Sequence, residues 1–106
     1  MEAPRTPYMS LQEYAVAVAK DEKIDPNMFQ KLIACESNWV GEAVGDQGRA
    51  IGILQFHRGT FDRFSKEYKL NLDINNSYHQ IDLSTRMIAD GYLFHWTCAY
   101  IIGWLK

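Results

Sequence analysis

The 106-residue sequence lacks the features of several large classes of protein. Its longest apolar run, from Ala99 to Leu105 with Gly103 inside it, is far shorter than the roughly 20 residues that a membrane-spanning helix needs. No stretch concentrates lysine and arginine, and the net charge is −2, so we expect no nucleic-acid partner. No repeat or linker divides the chain. We therefore predict a flexible lead-in over residues 1–9 and a single folded domain over residues 10–106.

Cysteine and histidine are too few and too scattered to predict a metal site. His57, His79 and His95 show no ligand spacing, and neither cysteine belongs to a C-x-x-C pair. We predict no metal and no cofactor. Cys35 and Cys98 leave two alternatives open, namely two free thiols or a disulfide that closes most of the chain. A Cys98–His95 nucleophile pair is conceivable, but no third group that would orient it is evident.

Helical patterns account for most of the sequence. Ser10 and Glu13 form a capping box before a first helix, and Asp25 followed by Pro26 is the start signal of a second. Helices are predicted over residues 11–23, from 26 to about 38, over 60–68, from about 77 to 91, and from about 94 to 105. The glycine-rich stretch over residues 40–49 predicts a loop or short hairpin. The predicted fold class is mainly α, a compact helical domain with at most a small β-hairpin near residues 40–50.

Glu36 is a carboxylic acid at an apolar helix position. It lies three residues after Ile33 and seven after Phe29, so helical geometry places it on the same face as these side chains. A carboxyl group there loses hydration, which raises its pKa and lets it act as a general acid. The alternative is that Glu36 lies at the helix end and turns outward to water.

The stretch over residues 35–61 resembles the lysozyme-like superfamily, in particular soluble lytic transglycosylase domains and small bacterial or phage muramidases. The shared pattern is a Glu-Ser pair at a helix end, a glycine-containing turn, a G-x-x-Q segment, an aromatic residue and a threonine. In this sequence the elements are Glu36-Ser37, the loop through Gly48, Gly52 to Gln55, Phe56 and Thr60. The resemblance implies an α+β lysozyme-like fold and makes residues 10–106 a catalytic domain.

By this resemblance the protein is a glycosidase that cleaves the β-1,4 bond between N-acetylmuramic acid and N-acetylglucosamine in peptidoglycan. Glu36 would be its single general acid/base, because the glycosidic oxygen must be protonated as it leaves. The expected substrate-binding residues are Ser37, Gln55, Phe56, Tyr100 and Asp46.

Most of these substrate-binding assignments have a structural alternative. Ser37 could hydrogen-bond the loop, and Gln55 could be a structural amide between the loop and a helix. Asp46 could cap its own turn. Tyr100 lies in a segment similar to the A-Y-N-x-G element of transglycosylases, but Ile101 replaces the asparagine. A core aromatic is therefore the alternative for Tyr100.

Whether a second catalytic carboxylate accompanies Glu36 decides which reaction occurs. The predicted reaction is lytic transglycosylation, in which the sugar's own group attacks and leaves 1,6-anhydro ends. Hydrolysis by water is the alternative and would use a second acidic residue. The acidic residues available are Glu42, Asp46, Asp62 and Asp73, of which Asp46 is best placed in the G-D-x-G turn. A non-catalytic peptidoglycan-binding or envelope-assembly module is a further alternative.

The resemblance also bears on the cysteines and on location. Small bacterial lysozyme-like domains often pair a cysteine beside the acid with one after a tryptophan near the end, which implies a Cys35–Cys98 disulfide. A disulfide implies an oxidising, extracytoplasmic location: periplasmic, cell-surface or secreted. Residues 1–10 lack the apolar core of a signal peptide. The expected partner is the peptidoglycan glycan strand, bound by a monomer or by part of a larger envelope machine.

Overall fold

A computed structural model describes residues 9–106 as a mainly helical protein with one small sheet. The helices are α1 (Leu11–Asp21), α2 (Pro26–Ser37), α3 (Arg58–Glu67), α4 (Ser77–Ala89) and α5 (Thr97–Ile101). The strands are β1 (Val44–Gly45), β2 (Ala50–Ile51) and β3 (Phe56–His57). The predicted mainly α, α+β fold class is confirmed. Within residues 9–106, none of the helices has the length and hydropathy that crossing a bilayer requires.

The first two helices begin where their capping residues predict. The hydroxyl of Ser10 accepts from the Glu13 N–H at 3.1 Å, and the Glu13 carboxylate accepts from the Ser10 N–H at 3.0 Å. Asp25 accepts from two N–H groups of the first turn of α2, and Pro26 occupies its first position. Helix α2 ends at Ser37 and is capped by Asn38, whose left-handed backbone closes its last turn. Local side-chain chemistry therefore determines these boundaries.

Two predicted helices have different bounds in the structure. Helix α3 begins at Arg58, so the predicted start at residue 60 is wrong by two residues. The predicted helix over residues 94–105 is broken, because Trp96 has an extended backbone and only α5 follows it. The indole N–H of Trp96 donates to the carbonyl of Leu54 at 2.9 Å. This buried hydrogen bond to a distant loop offsets the helical hydrogen bonds that are lost where the helix is interrupted.

The three strands form one antiparallel sheet in the order β1–β2–β3. Gly45 is paired with Ala50, and Ala50 is paired with His57. The predicted small hairpin is therefore present, and the structure adds a third strand to it. This register brings the turn after β1 and the end of β3 to the same end of the sheet.

The hydrophobic core lies between α1, α2 and α4, with α1 packed against both of the others. Fully buried side chains from α2 and α4 meet there: Phe29, Leu32, Ile33, Ile81, Leu83 and Met87. Because the apolar face of α2 is fixed in this core, the last turn of α2 emerges from it beside the small sheet. Burial of these side chains therefore positions Glu36.

Most of the predicted lead-in, residues 1–8, lies outside the described residues. At Met9 the chain is attached to the fold, since its carbonyl accepts a hydrogen bond from the Tyr78 hydroxyl at 2.7 Å. Met9 also packs against the core.

Candidate active site

Glu36 faces a groove between the small sheet and the start of α5. One cavity of about 320 Å³ is lined by Glu36, Asp46, Ala50, Gln55, His57, His95, Trp96, Thr97 and Cys98. A second, of about 200 Å³, shares four of these residues and adds Phe56, Thr60 and Met87. The two cavities are called the groove below. It is open to solvent and is built from four separate parts of the chain.

The carboxyl group of Glu36 is half-buried in the wall of this groove. Burial raises the pKa of this carboxyl above its usual value, because a charged carboxylate is poorly hydrated there. The backbone N–H of Cys98 opposes part of this effect by favouring the carboxylate. Glu36 therefore lies between the two sequence-based alternatives, neither in the core nor turned out to bulk water. Such a group holds its proton to higher pH and can give it to a ligand.

A disulfide joins Cys35 to Cys98, with their Cα atoms 6.0 Å apart. The predicted disulfide is confirmed, and the Cys98–His95 nucleophile pair is excluded because Cys98 has no free thiol. The bond links the residue before Glu36 to the residue whose N–H favours the Glu36 carboxylate. The disulfide therefore holds Cys35 and Cys98, the two neighbours of Glu36, at a fixed separation.

Ser37 connects α2 to the loop between β2 and β3. Its hydroxyl donates to the carbonyl of Ile53 at 2.7 Å. Ser37 does not line the groove, and this hydrogen bond is the loop contact expected as its structural alternative. Because Ser37 directly follows Glu36, the hydrogen bond holds the end of the acid-bearing helix against the loop that forms one wall of the groove.

Gln55 lines the groove and also stabilises its own loop. Its amide nitrogen donates to the carbonyl of Gly52 at 2.8 Å and to that of Ala43 at 3.2 Å. Its amide oxygen lies against Gly45, where a Cβ atom would overlap it. The side chain therefore joins β1 to the loop, and its position in the groove wall is fixed.

The two aromatic residues predicted to bind substrate lie in different surroundings. Phe56 is only 3% exposed and packs edge-on against Phe61 and Trp96 with ring centroids 5.2 and 5.6 Å apart. Phe56 nevertheless lines part of the groove. Tyr100 is half-exposed on α5 and does not line the groove. The alternative that Tyr100 is a core aromatic is therefore wrong.

Asp46 meets His57 across the end of the sheet. The carboxylate Oδ2 of Asp46 lies 2.9 Å from Nε2 of His57, and both residues line the groove. The expected alternative, a carboxylate that caps its own turn, is not what the structure contains. Sequence reasoning missed this contact because the residues are separated by a strand and a loop. The register of a three-stranded sheet would have indicated it, but strands of two residues leave little periodic signal.

His95, which the sequence offered only as the partner of a Cys98 nucleophile, also lines the groove. Burial and the nearby Arg63 charge lower the pKa of this imidazole, which favours its neutral form. Its ring stacks on exposed Phe94 with centroids 4.9 Å apart. Across residues 9–106, no three His, Cys, Asp or Glu side chains are grouped so that they could hold a metal ion.

A helical fold that holds a poorly hydrated carboxyl group over an open groove is suited to acid-assisted cleavage of a glycosidic bond. The model of the protein family described as "Transglycosylase SLT domain" matches residues 13–93, from α1 through α4. This match covers most of the chain, and the chain belongs to that family. Comparison with curated proteins and with solved structures found no match.

Family membership supports lytic transglycosylase-like cleavage of peptidoglycan. Domains of this family act on peptidoglycan outside the cytoplasm, and the Cys35–Cys98 disulfide fits that location.

Proposed function

We propose that this protein is a lytic transglycosylase that cleaves the β-1,4 bond between N-acetylmuramic acid and N-acetylglucosamine, leaving 1,6-anhydro ends. Glu36 is its single general acid/base. The observation that supports this most directly is the half-buried Glu36 carboxyl group, with its raised pKa, in the wall of an open groove. The disulfide supports action in an extracytoplasmic compartment, by the protein alone or within a larger envelope machine.

The reaction uses the same carboxyl group twice. Protonated Glu36 gives its proton to the glycosidic oxygen while the bond from that oxygen to C1 of the muramic sugar breaks. The 6-hydroxyl of the same sugar then forms a bond to C1, and its proton returns to the Glu36 carboxylate. The Cys98 N–H stabilises the carboxylate that exists between these two steps.

The other proposed site residues hold or contact the sugar chain. Asp46 lines the groove and presents its carboxylate to sugar hydroxyl and amide groups. Gln55 also lines the groove, and since both of its amide hydrogens are donated to backbone carbonyls, it offers only its amide oxygen to the sugar. Phe56 contributes an apolar edge to the groove. Half-exposed Tyr100 lies on α5 outside the groove lining and offers its ring to a part of the glycan strand that extends beyond the groove. Ser37 acts on the substrate indirectly, since its hydroxyl holds the groove loop against α2.

The test is digestion of purified peptidoglycan, followed by mass spectrometry of the released fragments. The native protein is expected to release fragments with 1,6-anhydro ends, and Glu36→Gln should reduce the rate by at least about a hundredfold, since general acid–base groups contribute that much or more. Glu42→Gln changes an exposed glutamate outside the groove and should digest at the native rate. If the native protein leaves glycan intact and Glu36→Gln binds it equally well, the protein is a binding module and the proposal is wrong.

A further inference from the structure

The contact between Asp46 and His57 is not explained by stability. Both side chains are about half exposed, at 53% and 50% respectively. Pairs with this exposure contribute little to folding, because water screens the charges and both side chains lose conformational freedom. The contact is therefore too weak to offset the energetic cost of an unfavourable backbone conformation.

The turn that carries Asp46 has such a backbone. Three consecutive residues have positive φ angles: Asp46 at 48°, Gln47 at 58° and Gly48 at 90°. Glycine adopts this conformation freely, but each of the other two residues costs of order 1 kcal/mol. Strain of this kind persists where a fold must place a particular group. Here the strained turn places the Asp46 carboxylate in the groove that also contains Glu36.

The geometry points to Asp46 as the residue that holds a water molecule for attack on C1, with His57 as its positioning residue, and so to a hydrolytic reaction beside transglycosylation. This inference rests on the proposed function. An ionised carboxylate accepts hydrogen bonds through both oxygens. Oδ2 of Asp46 is engaged by His57 Nε2, which fixes the carboxylate and leaves Oδ1 to accept from water.

The two reactions share their first step and diverge afterwards. Glu36 protonates the leaving oxygen in both, and the bond from that oxygen to C1 breaks. In the hydrolytic reaction the water oxygen bonds to C1, one water proton passes to the Glu36 carboxylate, and Asp46 keeps its hydrogen bond to the other hydrogen. The product has a reducing end instead of a 1,6-anhydro end. Water and the 6-hydroxyl thus compete for the same carbon and the same base.

The experiment measures the ratio of reducing to 1,6-anhydro ends released from peptidoglycan by mass spectrometry. The native protein is expected to give both. Asp46→Asn retains a residue that tolerates the left-handed backbone and should lower the ratio at least about tenfold, as expected when a hydrogen bond to a charged group is lost. His57→Ala should lower it in the same direction, and His57→Gln, which keeps an N–H donor, should restore part of it. Asp62→Asn changes an exposed carboxylate on α3, outside the groove, and should leave the ratio unchanged.

Three results would overturn the inference while leaving the proposed function in place. They are native protein that gives 1,6-anhydro ends alone, variants with the native ratio, and variants that lose both products equally while remaining folded by circular dichroism. Native protein that cleaves nothing would instead overturn both proposals. A drop in the ratio for His57→Ala that persists in the Asp46→Asn background would show that His57 does not act through Asp46, and would overturn its assigned role.

Discussion

The backbone of Gly52 lies so close to the side-chain amide of Gln80 that a Cβ atom at Gly52 would overlap it. This approach lets Gln80 bond three backbone groups from within α4. Its oxygen accepts from the Leu54 N–H at 2.9 Å, and its nitrogen donates to the carbonyls of Ile51 and Ile74 at 3.0 and 2.8 Å. A buried amide therefore supports the groove loop from beneath, and Gly52 is the residue that makes room for it.

Gly52→Ala is expected to destabilise the protein by at least about 2 kcal/mol, because the Cβ overlaps the Gln80 amide and φ at Gly52 is +83°. The measurement is unfolding in urea. Gly59→Ala is the matched control, since Gly59 lies in α3 and a Cβ atom there would have no neighbouring atom within 4 Å. That variant should be unchanged or more stable by up to about 1 kcal/mol. Equal effects at the two glycines would contradict the role of the close approach.

Gln80→Leu is expected to lower the unfolding free energy by at least about 3 kcal/mol, because buried groups that lose their partners each cost 1–3 kcal/mol. Hydrogen exchange should show the Leu54 N–H losing its protection. Gln30→Leu is the control, since the Gln30 amide donates only within its own helix, to the Pro26 carbonyl at 3.2 Å. That change should stay within about 0.5 kcal/mol. Native-like protection of Leu54 in Gln80→Leu would show that the loop does not depend on this amide.

Features set by neighbouring residues could be predicted from the sequence. Ser10 with Glu13, and Asp25 with Pro26, determine two helix starts through contacts within one turn, so their pattern is sufficient. For Glu36 the same local reasoning left two alternatives, the apolar face and an outward position at the helix end, and the structure lies between them.

Features set by distant contacts could not be predicted in this way. The break before α5 occurs at Trp96, whose indole is bonded to Leu54, and nothing near Trp96 in the sequence signals that partner. The Asp46–His57 contact depends on the register of strands too short to show a period. Both features are tertiary interactions that override or lie outside local preference.

Removal of the disulfide, by reduction or by the double variant Cys35→Ala/Cys98→Ala, is expected to lower stability by about 4 kcal/mol, since the bond closes a loop with a sequence separation of 63. We also expect an effect on Glu36. Loosening the Cys98 N–H removes what lowers the Glu36 pKa, so that pKa should rise and the basic limb of the activity profile should move to higher pH.

Urea unfolding with and without reductant measures the first effect, and pH–rate profiles measure the second. Reductant should have no effect on the double variant, which serves as the control. A basic limb that stays in place in folded, disulfide-free protein would mean that the bond contributes to stability alone.

Replacement of Glu36, the acid in our proposal, is expected to stabilise the protein in a pH-dependent way. Burial raises the pKa of Glu36 in the folded state above its unfolded value, so the folded state binds this proton more tightly. The stability that Glu36 contributes is therefore present below its unfolded pKa and is lost as pH rises through the folded pKa. As pH rises from the unfolded to the folded pKa of Glu36, the Glu36→Gln variant should therefore become more stable than the native protein. This difference in unfolding free energy should persist at neutral pH.

Glu13→Gln provides a control of opposite sign. The N–H and hydroxyl of Ser10 lower the pKa of Glu13, so its contribution is present above the unfolded pKa and is lost as pH falls. Unfolding free energies in urea at several pH values from 3 to 8 measure both variants against the native protein. The unfolding free energy of Glu36→Gln relative to the native protein should increase with pH. That of Glu13→Gln relative to the native protein should decrease with pH. A Glu36→Gln difference that is flat or falls with pH would mean that the acid is not destabilised by burial, and its suitability as a proton donor near neutral pH would lose its physical basis.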